Sequence, residues 1–253
     1  MKILILGGTS ESRKLATALD ARSDVAVTLS LAGRTNHPRP QGVPTRIGGF
    51  GGAEGLARFI AAENVGILID ATHPYADRIS ANAHWAAGET GVPFLALRRA
   101  AWQALPGDRW TSVETIEEAA SALGSDPVRV FLALGRKDIM PFAHAPQHAY
   151  LVRSVDPIDP PLPVPDATYV TARGPFNEAQ DRVMLERHNI EIIVSKNSGG
   201  DASYGKIAAA RALQIPVVMI GRPALPEAPS AKTVEQALAW CNHALTVAAM
   251  RGV

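Results

Sequence analysis

The stretch that decides the fold lies at the start of the chain, where residues 2–11 read KILILGGTSE. A short apolar run leads directly into two glycines and then into a pattern typical of a helix start. In nucleotide-binding α/β domains, this order of strand, glycine turn and helix brings the helix N-terminus against a phosphate group. The opening residues therefore predict a Rossmann-like domain.

The alternation of strand and helix patterns continues along the chain, as a doubly wound parallel sheet requires. In the first hundred residues the predicted strands are 2–6, 25–31, 67–70 and 93–97. The predicted helices between them are 10–20, 53–63 and 75–88. After a Pro-Gly break at 106–107, the predicted strands are 128–134, 149–154, 168–171, 191–195 and 216–220. The helices of this second series are 115–123, 177–188, 203–213 and 233–250.

We therefore expect an α/β fold with two Rossmann-like, doubly wound parallel-sheet domains and a cleft between them. The first domain is predicted over residues 1–100 and binds the nucleotide. The second α/β domain is predicted over residues 101–253 and binds the substrate.

The composition fits a globular protein of the cytoplasm. Of the 253 residues, 47% are hydrophobic and 19% are charged, so burial can offset the entropy of ordering the chain. The opening apolar run is far shorter than a bilayer requires, and it leads into glycines rather than a cleavage site. A net charge of +1 gives no field that would recruit nucleic acid or an anionic membrane, so we expect neither partner.

The first loop offers four candidates for binding the phosphates of a nucleotide: Gly7, Gly8, Thr9 and Ser10. Glycines let the backbone approach the anion, and N–H groups at the helix start meet its charge. The loop departs from the G-x-G-x-x-G pattern, because its two glycines are adjacent and no third follows on schedule. The alternative is a tight turn in which Thr9 or Ser10 caps the helix.

The end of the second predicted strand indicates which nucleotide binds. NAD-binding domains usually place an Asp or Glu there. This sequence has no acid at that position and carries Ser30, Ala32, Gly33 and Arg34. A guanidinium and a hydroxyl suit a 2′-phosphate, so the expected cofactor is NADP, with a solvated Arg34 as the alternative. Gly49, in a second glycine-rich loop, is expected to cover the cofactor or to belong to a plain turn.

A polar group stands at the end of the third predicted strand, where residues 70–76 read DATHPYA. In an open α/β sheet the carboxyl ends of the strands form the edge where ligands bind. Thr72 is therefore a candidate contact to the cofactor. His73 and Tyr75 are candidate catalytic residues, which would orient a ring or donate a proton. A histidine at a strand end is also an ordinary structural device, so both interpretations stay open.

Three loops of the second series combine cations and hydroxyls, and each follows a predicted strand. Their candidate substrate-binding residues are Arg136, Lys137, Arg173, Ser195, Lys196, Asn197 and Ser198, with Lys206 close behind. Parallel strands end at one edge of a sheet, so these side chains would gather there around several carboxylates or phosphates. For any one of them a solvated surface charge is the alternative. No metal is expected, since Pro146 breaks the helical spacing of His144 and His148.

As a set, the motifs resemble the precorrin-6A reductase family of cobalamin biosynthesis. The resemblance runs over nearly the whole chain and rests on GGTSE at 7–11, AGR at 32–34, DATHPYA at 70–76, GRK at 135–137, RGPF at 173–176, SKNSG at 195–199, IPVVMI at 215–220 and RP at 222–223. It implies an NADPH-dependent reductase that saturates one double bond of precorrin-6A and gives precorrin-6B. It also implies that the basic loops hold the acetate and propionate groups of this tetrapyrrole.

Two other functions stay open on the sequence alone. One is a non-catalytic regulatory protein that senses NADP, and the other is an NADP-dependent reductase of another polyanionic substrate. Basic residues at several strand ends favour a ligand pocket over a docking surface. The proton donor is also open among Tyr75, His73, Asp138, Lys196 and water.

Overall fold

The apolar run at the start of the chain forms the first strand of a parallel sheet in the computed structural model, which describes residues 1–33 and 40–250. The chain divides into two units. Unit 1 comprises Met1–Ala100 and Pro223–Val253, and unit 2 comprises Ala101–Arg222. Arg34, which is predicted to bind the cofactor, lies outside the described residues.

The strands in chain order are β1 (Lys2–Leu6), β2 (Ala26–Leu31), β3 (Thr45–Ile47), β4 (Val65–Asp70), β5 (Phe94–Leu97), β6 (Trp110–Val113), β7 (Arg129–Ala133), β8 (Ala149–Ser154), β9 (Ala167–Thr171), β10 (Ile192–Lys196), β11 (Val217–Ile220) and β12 (Ser230–Ala231). The α-helices are α1 (Ser10–Asp20), α2 (Ala53–Ala62), α3 (Asp77–Thr90), α4 (Ile116–Ser121), α5 (Glu178–Arg187), α6 (Gly205–Leu213) and α7 (Val234–Met250). The sequence did not predict β3, β6 or β12.

The sheet of unit 1 has the strand order β12-β5-β4-β1-β2-β3, and every neighbouring pair is parallel. Its two faces are covered by different helices. On one face Ile3 and Ile5 share a core with Leu15 of α1, and on the other Leu4 shares a core with Leu56 of α2. Burial on both faces explains why the strand sequences are apolar without alternation.

The sheet of unit 2 has the order β6-β11-β10-β7-β8-β9 and is also entirely parallel. Phe131 of β7 and Ile193 of β10 are buried with Leu185 of α5. Two parallel sheets with intervening helices confirm the predicted α/β class. In the part of the chain that the structure describes, no helix is both long and apolar enough to cross a membrane.

The prediction that residues 101–253 form one domain is wrong for the C-terminal part. β12 pairs with β5 in the sheet of unit 1, with Ser230 opposite Ala96. Ala237 and Cys241 of α7 are buried in the same core as Ile3. The reason is that β5 offers an open parallel edge, and α7 buries its apolar face against that sheet. Order along the chain does not show which sheet a late strand joins.

Candidate functional site

The turn between β1 and α1 is tight, and its conformation depends on two glycines. A Cβ at position 7 would lie 2.6 Å from Leu29 Cδ1, so Gly7 leaves no room for a side chain. Gly8 has a φ of 122°, a conformation that favours glycine. A Cβ at Gly8 would meet no atom of the described residues within 4 Å.

Thr9 is the N-cap of α1 and ties the turn to the end of β4. Its Oγ1 accepts a hydrogen bond from the Ser12 N–H at 3.0 Å and donates one to Ala71 O at 2.9 Å. Ser12 Oγ in turn accepts from the N–H groups of Gly8 and Thr9, at 3.2 and 3.1 Å. The structure thus identifies Thr9 rather than Ser10 as the cap, and it adds Ser12, which the sequence did not single out.

Glu11, in the first turn of α1, is paired with Arg99, which follows β5. Arg99 Nη1 donates to Glu11 Oε2 at 2.8 Å, and the two side chains are only 14% and 22% exposed. Burial acts to raise the pKa of Glu11, but the charge of Arg99 and several hydrogen bonds outweigh it, so the pKa lies below its ordinary value of 4.5. The pair neutralises a carboxylate that would otherwise repel a phosphate at this helix start.

The segment after β4 is held by the buried carboxylate of Asp70. This carboxylate accepts hydrogen bonds from the Thr72 N–H at 3.1 Å, from Thr72 Oγ1 at 2.6 Å and from Ser80 Oγ at 2.5 Å. The hydroxyl of Thr72 therefore has a partner inside the protein. A contact between Thr72 and a cofactor stays a prediction.

The candidate catalytic residues His73 and Tyr75 are neighbours in space. His73 Nδ1 accepts a hydrogen bond from the Tyr75 N–H at 3.3 Å, and the two ring centroids are 5.6 Å apart. Because Nδ1 accepts, a neutral His73 carries its proton on Nε2, which can act as a donor. His73 also lines a small depression that it shares with Thr9, Glu11, Thr72 and Arg99. The structure thus brings His73 to the edge that carries the glycine turn.

Arg46, in β3, was not among the predicted site residues. Its Nη1 donates to Ser30 Oγ at 2.9 Å and to Gly48 O at 2.8 Å, and its Nη2 donates to Gly49 O at 3.0 Å. The guanidinium carbon lies 3.8 Å from the centroid of the Phe50 ring. Arg46 thus joins the end of β2 to the second glycine-rich loop. The predicted contact of Gly49 to a cofactor is not tested by this geometry.

In unit 2, Lys196 is the last residue of β10 and forms an ion pair with Asp138. Lys196 Nζ lies 2.7 Å from Asp138 Oδ2, and both side chains are partly exposed. Arg136 and Lys137, in the same loop as Asp138, are exposed. Arg173 Nη2 lies 4.0 Å from a carboxylate oxygen of Asp156. The contact between Lys196 and Asp138 shows that two of the three basic loops meet.

Three of the predicted substrate-binding residues contact other protein groups. Ser195 is fully buried, and its hydroxyl donates to the next carbonyl at 3.1 Å. The Asn197 amide bonds both backbone groups of Trp102, accepting at 2.8 Å and donating at 3.0 Å. Lys206 is 4% exposed, donates to Ser203 O at 2.8 Å and lies 4.8 Å from the centroid of a Trp102 ring. These contacts tie the loop after β10 to other residues of unit 2.

Arg222 and Trp102 hold the same loop at its backbone. Arg222 Nε donates to Asn197 O at 2.9 Å, and its Nη2 donates to Ser198 O at 3.1 Å. Trp102 Nε1 donates to Gly200 O at 3.0 Å. The loop is thereby held at three carbonyls. These contacts help to position the ammonium group of Lys196, which lies at the start of the loop.

A buried ion pair lies beneath the loop after β9. Arg153 of β8 pairs with Asp181 of α5, and both side chains are almost inaccessible. The guanidinium carbon of Arg153 lies 3.7 Å from the centroid of the Phe176 ring. Phe176 closes the loop that carries Arg173, so the pair supports a predicted substrate-binding residue. This pair could not be predicted from the sequence, because no local pattern distinguishes Arg153 from a surface arginine.

The residues of unit 1 fit a bound dinucleotide. No described residue crowds Gly8 in the turn that leads into α1, and the sequence after β2 carries no acid before Glu54. Over residues 1–33 and 40–250, no three His, Cys, Asp or Glu side chains are grouped as metal ligands would be. The two parallel sheets and the glycine turn define the class of Rossmann-like α/β proteins.

Comparison with known proteins narrows this class to one family. A family model described as precorrin-6x reductase CbiJ/CobK matches residues 2–242. The precorrin-6A reductase of Sinorhizobium sp is 55% identical over 249 residues, covering 98% of this chain and 95% of the relative. The cobalt-precorrin-6A reductase of Priestia megaterium is 32% identical over 232 residues, covering 87% of this chain and 90% of the relative. A solved structure of CobK precorrin-6A reductase is 45% identical, with a TM-score of 0.93, covering 96% of this chain and 97% of that chain.

The chain belongs to the precorrin-6x reductase family. It is therefore a reductase of cobalamin biosynthesis, and the resemblance found in the sequence is confirmed. A reductase of this kind implies a reduced nicotinamide cofactor.

Proposed function

We propose that the protein reduces precorrin-6A to precorrin-6B with NADPH. The observation that carries this proposal is its 55% identity, along nearly the whole chain, to a relative named precorrin-6A reductase. The reaction saturates one double bond of the macrocycle. It therefore needs a hydride, a proton and a site that holds a ring with many carboxylates.

Unit 1 would hold the cofactor at the carboxyl edge of its sheet. The proposed contacts are Gly7, Gly8, Thr9 and Ser10 at the phosphates, Arg34 at the 2′-phosphate, and Gly49 and Thr72 beside them. NADPH, when bound, supplies the hydride. The paired Glu11 and Arg99 keep the start of α1 electrically neutral, so that the N–H groups of the helix can attract the phosphates.

Unit 2 would hold the substrate with the cations at the carboxyl edge of its sheet. The residues proposed to contact the carboxylates are Arg136, Lys137, Arg173, Lys196 and Ser198. Ser195, Asn197 and Lys206 would act from behind by fixing the loop, in keeping with their burial and their contacts to Trp102. Cations on several separate loops suit a ring whose carboxylates point in different directions.

The proton that follows the hydride would come from Tyr75 or His73. Tyr75 offers a phenolic O–H, and His73 offers its Nε2–H, since its Nδ1 accepts from the Tyr75 backbone. We place Tyr75 first as the donor and give His73 the role of orienting it. Replacing the hydroxyl in Tyr75→Phe should slow protonation without changing NADPH affinity.

Within the family, the relatives carry names for a metal-free and for a cobalt-containing substrate. The chain is more similar to the Sinorhizobium precorrin-6A reductase than to the Priestia cobalt-precorrin-6A reductase, at 55% against 32% identity. This difference supports the metal-free ring as the substrate.

The test compares kcat/KM for precorrin-6A and cobalt-precorrin-6A under anaerobic conditions, with NADPH absorbance followed at the same time. We expect faster turnover of the metal-free ring. Tight NADPH binding with no oxidation by either ring would contradict the reductase and favour a regulatory protein. If only a different polyanion oxidised NADPH, the protein would still be a reductase, but its substrate would be that polyanion.

Lys196→Ala separates the roles of the two units. Loss of one charge-assisted contact should raise the KM for precorrin-6A about tenfold and leave the Kd for NADPH unchanged. Lys232→Ala, an exposed lysine of unit 1, is the control and should change neither constant. A tenfold loss of NADPH affinity in Lys196→Ala would show that the cofactor site is misplaced.

A further inference from the structure

Arg46 of unit 1 has so far been given no role in binding the cofactor. Between Val25 and Ala53 the sequence contains no Asp or Glu, but it contains Arg34, Arg39 and Arg46. Arg46 is the one of these three that belongs to a described strand. An acid-free, arginine-bearing segment around the end of β2 is the environment that a 2′-phosphate requires.

The contacts of Arg46 place its guanidinium beside the glycine turn. In the parallel register of β2 and β3, Arg46 lies opposite Ser30, and its Nη1 donates to Ser30 Oγ at 2.9 Å. The carbonyl of Ser30 accepts the N–H of Gly7 at 2.9 Å. One residue therefore separates Arg46 from the start of the phosphate turn. In a Rossmann-like domain the adenosine ribose lies between these two points.

The contacts of the Arg46 guanidinium hold it in place but do not use all of its N–H groups. Ser30 and the carbonyls of Gly48 and Gly49 take three of its five N–H groups, and Phe50 stacks on its face. Among the described residues, no hydrogen bond to Arg46 Nε is formed. Burial lowers the pKa of Arg46, because the group is partly removed from water. A phosphate meeting a partly desolvated guanidinium gains more than it would at an exposed one.

We propose that Arg46 selects NADPH over NADH by binding the 2′-phosphate with the donors that Ser30 and the glycine loop leave over. This inference rests on the proposed function, since it assumes that unit 1 binds the nicotinamide cofactor. It assigns specificity to a residue on a strand, which is held more rigidly than a residue on a loop. Arg34 then adds to the same charge instead of carrying it alone.

The competing interpretation is that Arg46 only supports the loop from Gly48 to Gly52. That role would affect NADPH and NADH equally, because both share the adenosine and pyrophosphate groups. The ratio of the two affinities therefore distinguishes the interpretations, whereas loss of NADPH binding alone does not.

The experiment measures Kd for NADPH, NADH and the fragment 2′,5′-ADP in the wild type, Arg46→Ala and Arg46→Lys. We expect Arg46→Ala to weaken NADPH and 2′,5′-ADP at least about tenfold, the loss typical of a charged hydrogen bond, with little change for NADH. Arg46→Lys should restore part of the NADPH affinity, because it keeps the charge but loses the fork of donors. Arg58→Ala, an exposed arginine on the following helix, is the matched control and should change none of the three.

Equal losses for NADPH and NADH in Arg46→Ala would overturn the inference and leave the proposed function intact. No change for any nucleotide would also overturn it. A wild-type protein that binds neither NADPH nor NADH would overturn the proposed function and this inference together. Arg46→Lys keeps the test decisive if Arg46→Ala does not fold.

Discussion

Glu11 occupies a position at which stability and binding make opposite demands. A carboxylate in the first turn of α1 favours the helix dipole, but it also opposes a phosphate at the same place. The 2.8 Å contact to Arg99 satisfies both demands, because it keeps the carboxylate charged and cancels its field. The lowered pKa of Glu11 reports the same pairing.

Glu11→Gln should therefore lower the free energy of unfolding at pH 7 by about 1 kcal/mol. Because the folded protein lowers the pKa of Glu11, its contribution is present above the ordinary value of 4.5 and is lost as the pH falls through the lowered pKa. Urea unfolding of both proteins from pH 7 to pH 3 should show the two curves converging at acid pH. Glu63→Gln, at a half-exposed pair with Lys2, should cost less. A difference that persists unchanged at pH 3 would contradict this account.

At the residue scale, the sequence revealed the side chains whose partners are local. Thr9 was one of two predicted caps, with Ser10, because both are hydroxyl residues at the start of a helix pattern, and the structure identifies Thr9. Arg46 and Trp102 could not be predicted. Arg46 bonds a serine on a different strand, and Trp102 bonds Asn197, which is 95 residues away in the chain. The burial of Lys206 could not be predicted for the same reason, since nothing local shows that its ammonium packs against Trp102.

Among the elements, α5 is attached to its sheet by a charge. Its own sequence has little amphipathic pattern, but Asp181 is 1% exposed and pairs with Arg153 of β8. Asp181 Oδ2 has no hydrogen-bond partner among the described residues. This ion pair, together with the buried side chain of Leu185, holds α5 in place next to the Phe176 loop.

Asp181→Asn should destabilise unit 2 by about 3 kcal/mol, because it leaves the Arg153 cation buried without a counter-charge. Urea unfolding followed by tryptophan fluorescence would measure the loss. Arg182→Ala, at an exposed i,i+4 pair on the same helix, should change the free energy of unfolding by less than about 0.5 kcal/mol. Equal effects of the two substitutions would show that the buried pair contributes no more than a surface one.

The strands that the sequence missed share one physical property. β3, β6 and β12 lie at sheet edges, are two to four residues long, and consist of half-exposed or exposed residues except for the buried Ala231 of β12. Interior strands such as β1 and β10 are buried on both faces and therefore produce continuous apolar runs. A short edge strand is formed by backbone hydrogen bonds to its neighbour. Such bonds do not require a pattern of apolar residues, so the sequence shows none.

In the whole molecule, unit 1 is formed by two segments of the chain, and unit 2 lies between them in the sequence. Pro223–Val253 returns to the first sheet, where β12 extends the edge at β5 and α7 covers the face that includes Ile3. The sequence predicted the α/β class, which both parallel sheets confirm. It could not assign the last segment, because that choice depends on an edge formed more than a hundred residues earlier.

A chain that ends at Arg222 should lose the cooperative folding of unit 1. Ala237 and Cys241 are fully buried, and removing α7 would expose the core around them. Hydrogen exchange should show loss of protection in β1, β2 and β4, with the sheet of unit 2 still protected. Met250→Ala, at the exposed end of α7, is the control and should leave exchange unchanged. Protection of unit 1 in the shorter chain would contradict the assignment of α7 to its core.

Transfer of deuterium from the cofactor to the ring would show that this chain moves a hydride from NADPH to precorrin-6A. The protein is mixed anaerobically with precorrin-6A and with NADPH in which both hydrogens at C4 are replaced by deuterium. The mass of the product is then measured by mass spectrometry. We expect a reduced ring with one deuterium from the cofactor and one hydrogen from solvent. A ring that stays unreduced while NADPH is bound, or that is reduced without taking up deuterium, would contradict it.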